Sequence, residues 1–259
     1  MLLVVDVGNT QTHFGAVRDG DIVEHWRLAT ERSATSDELG ATLRSMLALR
    51  GLSFADVSSS VLSSTVPELA PQWSEAAARY LGQQMLVVGA PGVRTGMQIR
   101  MDNPREVGAD RLVNAMAAWH RFGGACIVVD FGTAITYDVV SAEGDYLGGI
   151  ISPGIEISLE ALAQRAAKLS QVEIGEPRAL IGKNTTDAVR SGIVYGFAGQ
   201  VDGIVARLRD ELGDDVPVIA TGGLAHHLVP AFTSSIDVAD DLLTLEGLRL
   251  IWELNRPER

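Results

Sequence analysis

Two short stretches of the chain end an apolar run with an aspartate and a glycine and continue into threonines. VVDVGNTQT occupies residues 4–12 and VVDFGTAIT occupies residues 128–136, so Asp6 and Asp130 hold equivalent places 124 residues apart. A strand that turns through glycine presents backbone N–H groups and hydroxyls, and such a concave surface binds phosphate oxygens. The carboxylates themselves repel phosphate, so they would hold a bridging cation or orient a water molecule.

For either stretch alone, the simpler interpretation is an aspartate that caps a tight turn. The duplication favours nucleotide binding, because two such turns facing each other across a cleft would hold a polyphosphate from both sides. A third stretch, VIATGGLA at residues 218–225, also leads from an apolar strand into a glycine pair. Backbone without side chains could lie against a flat ring such as adenine.

The elements around the two stretches repeat at the same spacing. Asp19-Gly20 follows the first stretch and Glu143-Gly144 follows the second. Each pair lies between apolar runs, as a hairpin turn does, so each copy is predicted to be three strands joined by two turns. The repeat predicts two domains of one topology that arose by duplication, residues 1–122 and residues 123–259.

Helical and strand patterns complete an α/β fold. Thr35 and Glu38 form a capping-box signature before apolar residues at helical spacing. Further helices are predicted at 67–82, 108–122, 155–168, 185–212 and 244–254, further strands at 57–62, 85–88 and 216–220, and a loop at 89–105.

Glycines at helical spacing mark one face of the predicted helix 185–212. Gly192, Gly196, Gly199 and Gly203 all lie on it. Glycine weakens an exposed helix by up to ~1 kcal/mol per residue, so this face indicates close approach of another backbone, within a domain or across a dimer. Charged residues along the same helix exclude a membrane span.

Composition narrows the class of protein further. The 259 residues are 46% apolar and 21% charged, an ordinary globular balance, and no apolar run approaches the length of a membrane helix. The net charge of −12 argues against nucleic acid as a partner. The first residues lack the basic segment of a signal peptide, and Cys126 is the only cysteine. A cytoplasmic protein with no membrane attachment is expected.

Six motifs in this order resemble one family. They are DVGNT at 6–10, NPREVGADR at 103–111, DFGTAITYD at 130–138, GGIISPG at 148–154, GKNT at 182–185 and TGGLA at 221–225. Together they are similar to the type III pantothenate kinases, over essentially the whole chain. The resemblance implies a fold of the actin/Hsp70/sugar-kinase (ribonuclease H-like) type, with two duplicated domains and an active site in the cleft between them. It implies an enzyme that transfers the γ-phosphoryl group of ATP to pantothenate, the first step of coenzyme A biosynthesis.

The resemblance also implies roles for individual residues. ATP contacts fall on Asp6, Val7, Gly8, Asn9, Thr10, Gln11, Thr12, His13, Thr133, Gly222 and Gly223. Pantothenate contacts fall on Gly108, Ala109, Asp110, Arg111 and Thr185, with Asp110 as the general base. Asp6 lies near the magnesium that accompanies ATP, and Asp130 matches the ligand of a monovalent cation, potassium or ammonium. The family is homodimeric. This chain departs from it at Met101, where many members carry a tyrosine near the substrate.

Alternatives remain for individual residues and for the whole chain. Asp110 lies near a predicted helix start, where a carboxylate also serves as a plain cap. Arg111 is either a surface residue or a clamp for the substrate carboxylate, and His13 either donates to phosphate or lines the cleft wall. The chain as a whole could be a regulatory relative without kinase activity, or a kinase of the same superfamily that acts on another small molecule.

Overall fold

The computed structural model describes residues 1–166, 172–213, 215–223 and 230–256. The chain divides into two compact units, one formed by Met1–Ala117 with Leu242–Arg259 and the other by Ala118–Asp241. None of the described helices is both long enough and apolar enough to cross a membrane.

The first unit is built on a mixed five-stranded sheet of order β3-β2-β1-β4-β5. Its strands are β1 (Leu2–Val7), β2 (Gln11–Arg18), β3 (Asp21–Ala29), β4 (Ser59–Ser64) and β5 (Leu86–Val87). The first three strands are antiparallel, and β4 and β5 continue the sheet in parallel with β1. Its helices are α1 (Ser36–Ala48) and α2 (Leu69–Ala76), with α3 (Ala109–Phe122) crossing the boundary between the units.

The second unit repeats this sheet. Its strands are β6 (Cys126–Phe131), β7 (Ala134–Val140), β8 (Tyr146–Pro153), β9 (Val218–Thr221) and β10 (Val238–Ala239), in the order β10-β9-β6-β7-β8. The first three are again antiparallel, and β9 and β10 are again parallel. The helices are α4 (Ile155–Arg165) and α5 (Thr185–Leu212). The matching strand order confirms the predicted duplication.

The two hairpin turns differ in length. Asp19 and Gly20 form a two-residue turn with φ of 55° and 96°, the left-handed conformations that favour Asp-Gly in such turns. The turn of the second unit spans residues 141–145 and is closed by the N–H of Ser141, which donates to Asp145 O at 2.9 Å. The duplicated hairpins thus keep their strands while their turns differ.

Alternating side chains divide each sheet into two packing faces. Leu3, Val5 and Val7 of β1 lie in a core with α1 and α2. Leu2 and Val4 face the other way and pack with α3 and with a last helix, α6 (Leu243–Asn255). Burying such side chains contributes roughly 1.5–3 kcal/mol each.

The last helix, α6, belongs to the first unit. Its residues Leu245, Leu248 and Ile251 are fully buried in the core with Leu2 and Val4. A Cβ on Gly247 would collide with the backbone of Val113, so the helices α6 and α3 approach each other closely. The predicted domain of residues 123–259 included this helix, whereas its apolar stripe groups it with the N-terminal strands.

Other elements match the sequence patterns with small shifts. Thr35 and Glu38 form the predicted capping box of α1, and α5 begins and ends as predicted. The strand predicted at 57–62 lies at Ser59–Ser64, because a 3₁₀ turn at Phe54–Asp56, capped by Ser53, occupies the residues before it. The helix predicted at 155–168 is described to Arg165, and residues 167 and 168 lie outside the described part of the chain.

Candidate active site

The first candidate turn joins β1 to β2. The N–H of Gly8 donates to Gln11 O at 3.0 Å, and a Cβ on Gly8 would lie only 2.9 Å from that oxygen. A side chain at position 8 would therefore strain the turn. The next three residues, Asn9, Thr10 and Gln11, are exposed. The structure thus presents the predicted phosphate segment as an exposed turn on a buried strand pair.

A threonine that the motif does not include fixes this turn. The hydroxyl of Thr30 donates to Gly8 O at 2.8 Å and lies 3.0 Å from the hydroxyl of Thr12. The backbone N–H of Thr30 donates to Thr10 O at 2.9 Å. Thr30 follows directly after β3, which runs antiparallel to β2, so the sheet itself brings it to the turn. Three hydrogen bonds of Thr30 therefore hold the turn in its conformation before any ligand binds.

Asp6 and His13 are neighbours across the first strand pair. They are directly opposite in the antiparallel register, and Asp6 follows the alternation of Leu2 and Val4 onto the face that α3 and α6 cover. His13 is buried, and its Nε2 lies 3.2 Å from Nδ1 of His25 on β3. One ring must be the donor and the other the acceptor, so this contact occupies Nε2 of His13.

Asp110 lies in the first turn of α3 and is partly buried. A Cβ on Gly108 would collide with Oδ1 of Asp110, so the carboxyl group folds back over the start of the helix. Burial raises the pKa of Asp110, and the backbone N–H and the charge of Arg111 offset part of that rise. The predicted substrate segment therefore combines a glycine with a desolvated acid.

The pKa of Asp110 shifts in the opposite direction from that of an exposed capping carboxylate. Glu38, an exposed capping residue of α1, has a lowered pKa because the backbone N–H and hydroxyl of Thr35 donate to its carboxylate. Asp110 shifts in the opposite direction because desolvation outweighs its hydrogen bonds. A raised carboxyl pKa suits a group that accepts a proton during a reaction.

In the second unit, the carboxylate of Asp130 lies against backbone. Gly222 has a φ of 96°, and a Cβ there would collide with Asp130 Oδ1 and lie 2.7 Å from Phe131 O. Asp130 is opposite Thr136 on β7 and beside Thr221 on β9. The structure thus brings the second phosphate segment and the predicted adenosine segment together at adjacent strand ends.

A third motif joins this cluster. The N–H of Gly154 donates to Thr133 O at 3.1 Å, and a Cβ on Gly154 would lie 2.7 Å from Gly132 O. Gly154 is also the N-cap of α4, so this helix begins against the turn that carries Thr133. The sequence motif GGIISPG contains Gly154, but the glycine pattern alone did not assign it to the site.

A buried polar network stands beside Asp130 on the same sheet. The hydroxyl of Tyr146 donates to Asp138 Oδ1 at 2.6 Å, and the hydroxyl of Thr136 lies 3.1 Å from Asp138 Oδ2. Asp138 and Tyr146 are both fully buried, so this carboxylate is held by two hydroxyl groups inside the protein. Thr136, opposite Asp130 in the register, connects the network to the candidate site.

Thr185 is the exposed first residue of α5. The preceding Asn184 caps the helix by accepting the N–H of Asp187 at 2.8 Å. A Cβ on Gly182 would collide with the backbone of Ala188, which explains the glycine of the GKNT motif.

Gly223, in the TGGLA motif, is exposed. The last two residues of that motif, 224 and 225, lie outside the described residues.

Within each unit, the structure groups the predicted residues by strand end and helix start. The first unit contains residues 6–13 and 108–111, and the second contains Asp130, Thr133, Thr185, Gly222 and Gly223. Across the described ranges, no three His, Cys, Asp or Glu side chains form a group that could hold a metal ion. Magnesium ordinarily binds through one or two carboxylates together with substrate phosphates, a mode that Asp6 fits.

Comparison with known proteins gives one family. The family model for type III pantothenate kinase matches residues 2–207. A type III pantothenate kinase of Streptomyces avermitilis is 51% identical over 262 residues, which covers 98% of each chain. Among solved structures, a hexokinase of the ROK class from Thermus thermophilus superposes with a TM-score of 0.52 at 14% identity, over 98% of each chain. A polyphosphate/ATP-glucomannokinase from Arthrobacter gives a TM-score of 0.51 at 15% identity, over 98% of this chain and 99% of that one. The structural likeness shows the two-domain fold of the actin/Hsp70/sugar-kinase type.

The crowding around Asp130 predicts the effect of Gly222→Ala. A side chain at a left-handed position costs about 1–2 kcal/mol in any surroundings. At Gly222 the added methyl group would also collide with Asp130 and Phe131, so the loss in the free energy of unfolding should exceed that value. Urea denaturation measures it.

Gly123 provides the matched control in the same unit. Its φ is 65°, and a Cβ there would meet nothing within 4 Å. Gly123→Ala should therefore show the conformational cost alone. Equal losses for the two variants would contradict the crowding at Asp130.

Proposed function

Because the chain belongs to the type III pantothenate kinase family and therefore phosphorylates pantothenate with ATP as the donor, we propose that Asp110 is the general base of this reaction. The observation that carries the proposal is the partly buried carboxyl group at the start of α3, which folds back over Gly108 and whose pKa is raised by desolvation. A raised pKa brings a carboxylate closer to the pH at which a base works best.

The proposed mechanism needs positioning more than covalent chemistry. The turn of residues 8–11 would hold the phosphates of ATP, with the accompanying magnesium near Asp6. Gly108, Ala109, Arg111 and Thr185 would hold pantothenate so that its primary hydroxyl faces Asp110. Asp110 would take the hydroxyl proton as the oxygen attacks the γ-phosphorus, and ADP would leave. We propose that Thr133, Gly222 and Gly223 also contact the nucleotide.

We further propose that Asp130 holds a monovalent cation. A Cβ on Gly222 would collide with its Oδ1 and would lie 2.7 Å from Phe131 O, so a carboxylate and a carbonyl oxygen both border this position. Carboxylate and carbonyl oxygens are the ligands that hard cations take. When bound, the cation would offset part of the charge that the phosphates develop.

We propose a homodimer in which the exposed glycine face of α5 meets a second copy. A Cβ on Gly192, Gly196 or Gly199 would meet nothing within 4 Å, so no described part of the chain packs against this face. Packing against the described residues of the domain, one of the two sequence interpretations, therefore does not explain these three glycines. Exposed apolar side chains also lie on β8, including Ile151 at 63% exposure. Such a surface is typical of a protein contact.

The family assignment supports pantothenate phosphorylation over the two alternatives from the sequence, and a direct assay checks that choice. A regulatory relative would bind nucleotide without turnover, and a different kinase would turn over another hydroxyl compound. A coupled assay with ATP and a panel of small hydroxyl acceptors, with and without pantothenate, distinguishes them. A cytoplasmic location rests on composition and the single, buried cysteine Cys126.

The base assignment predicts a nearly inactive Asp110→Asn variant. Asparagine caps a helix about as well as aspartate but accepts no proton, so kcat should fall by ~10²–10⁴-fold while the protein stays folded. Calorimetry should show unchanged ATP binding. The exposed Asp102 lies in the preceding loop, and Asp102→Asn should retain wild-type turnover. A kcat above about a tenth of wild type in Asp110→Asn would contradict the assignment, since that loss is well below the usual effect.

The pH profile gives a second measurement of the same assignment. The base must be ionised, so kcat/KM should fall as the pH drops through the pKa of Asp110. Because burial raises that pKa, the acid limb should lie above the ordinary aspartate value of about 3.9. The Asn variant should lack this limb.

The cation proposal predicts a salt-specific rate. Activity should rise when potassium or ammonium replaces sodium at constant ionic strength, because the site is proposed to bind the larger of these cations. Asp130→Asn should abolish the difference by removing the charge that holds the cation. Equal rates of the wild-type enzyme in all three salts would refute a monovalent site.

The dimer proposal predicts a monomeric Gly196→Gln variant. The longer side chain would block close approach of a second copy, although glutamine is the better helix former by up to ~1 kcal/mol. Light scattering measures the mass. Ala41→Gln, at an exposed position of α1, should remain dimeric. A Gly196→Gln dimer as tight as wild type would show that this face is not the interface.

A further inference from the structure

The phosphate turn has no positively charged side chain of its own. Residues 6–13 include one carboxylate, Asp6, and no lysine or arginine. The chain as a whole carries a net charge of −12. A triphosphate held here by backbone N–H groups alone would therefore lie in an acidic environment. A side chain from outside the motif could supply the positive charge.

Arg32 meets this need. Its Nη2 donates to the side-chain oxygen of Asn9 at 2.7 Å, and Asn9 is in the exposed part of the turn. Arg32 lies two residues beyond Thr30, whose three bonds fix the same turn. Two features therefore hold the guanidinium group near the turn: the nearby hydrogen bonds of Thr30 and the hydrogen bond from Arg32 to Asn9.

The guanidinium group is available to a ligand. Among the described residues it forms no ion pair, and Asn9 is the one side chain to which it donates. The adjacent acid, Glu31, instead accepts from the hydroxyl and the N–H of Ser33, at 2.7 and 3.2 Å. The Arg32 side chain is on an exposed residue, as a ligand-binding group must be.

We propose that Arg32 binds a phosphate group of the nucleotide at the turn of residues 8–10, with Asn9 orienting its guanidinium group. A guanidinium has five donors in a planar fork, and one bond to Asn9 leaves enough for a bidentate contact with phosphate oxygens. Asparagine at position 9 then has a purpose beyond the turn, since a carboxamide oxygen directs the arginine without neutralising it. This proposal rests on the proposed function, in which the same turn binds ATP.

Substitution at Arg32 separates charge from structure. Arg32→Gln keeps an amide donor for Asn9 but loses the charge, and Arg32→Lys keeps the charge but loses the fork. By calorimetry, Arg32→Gln should weaken ATP binding by about 10-fold or more, as loss of a charge-assisted hydrogen bond does. Arg32→Lys should weaken it less. Binding of adenosine, which has no phosphate, should be unchanged in both variants.

Arg44→Gln is the control for net charge. Arg44 is exposed on α1 and has no ion pair among the described residues. This variant should bind ATP as wild type does. The ATP affinity of the wild-type protein should also fall more steeply with salt concentration than that of Arg32→Gln. The variant lacks the ionic contact between Arg32 and phosphate, so salt has one contact fewer to screen.

The outcomes separate this proposal from the function on which it rests. If the wild-type protein binds ATP and Arg32→Gln binds it equally well, the Arg32 contact is wrong and the kinase assignment stands. If adenosine binding falls as much as ATP binding, Arg32 supports the fold of the turn and does not contact phosphate. If the wild-type protein itself fails to bind ATP, the proposed function is wrong, and the role of Arg32 fails with it.

Discussion

Successive side chains of a β-strand point to opposite faces of the sheet, and the placement of Asp6 and Asp130 in the two units depends on this constraint. In β1, the side chains of Val5 and Val7 pack in the core with α1 and α2. The side chain of the residue between them must therefore face the opposite side of the sheet. Asp6 therefore faces the side covered by α3. In β6, Val129 and Phe131 are committed in the same way, and Asp130 lies on the other face with Thr136. A slip of one residue in either strand would turn the carboxylate into an apolar core and move a core residue to the opposite face.

The two copies use different means to shape their turns. In the first, a threonine from the neighbouring hairpin strand fixes a turn that remains exposed. In the second, glycines from two distant segments, Gly154 and Gly222, allow backbone to pack where side chains would collide. Duplication supplied one topology, and the contacts around each strand end then diverged. Residues of the first turn are exposed, while main chain packs against the second.

Local signals predicted most of this architecture. The Asp-Gly pair, the Thr35 capping box and the helical period of residues 185–212 act through neighbouring residues, so the sequence shows them directly. The contacts of Thr30 with Gly8 and of Gly222 with Asp130 join residues far apart in the chain. No spacing rule contains them, because they depend on the sheet register. The place of α6 was missed for the same reason, since its apolar stripe fits any open sheet face equally well.

The return of α6 to the first unit gives the chain an order of assembly. During synthesis, all of Ala118–Asp241 emerges before Leu245, Leu248 and Ile251 can enter the core that begins with Leu2 and Val4. The second unit is continuous and can fold as soon as it leaves the ribosome, as domains generally do. The first unit must wait with one face of its sheet covered by α3 but not yet by α6, so its contacts with α6 carry the larger loop-closure entropy. The half of the protein made first is therefore the half completed last.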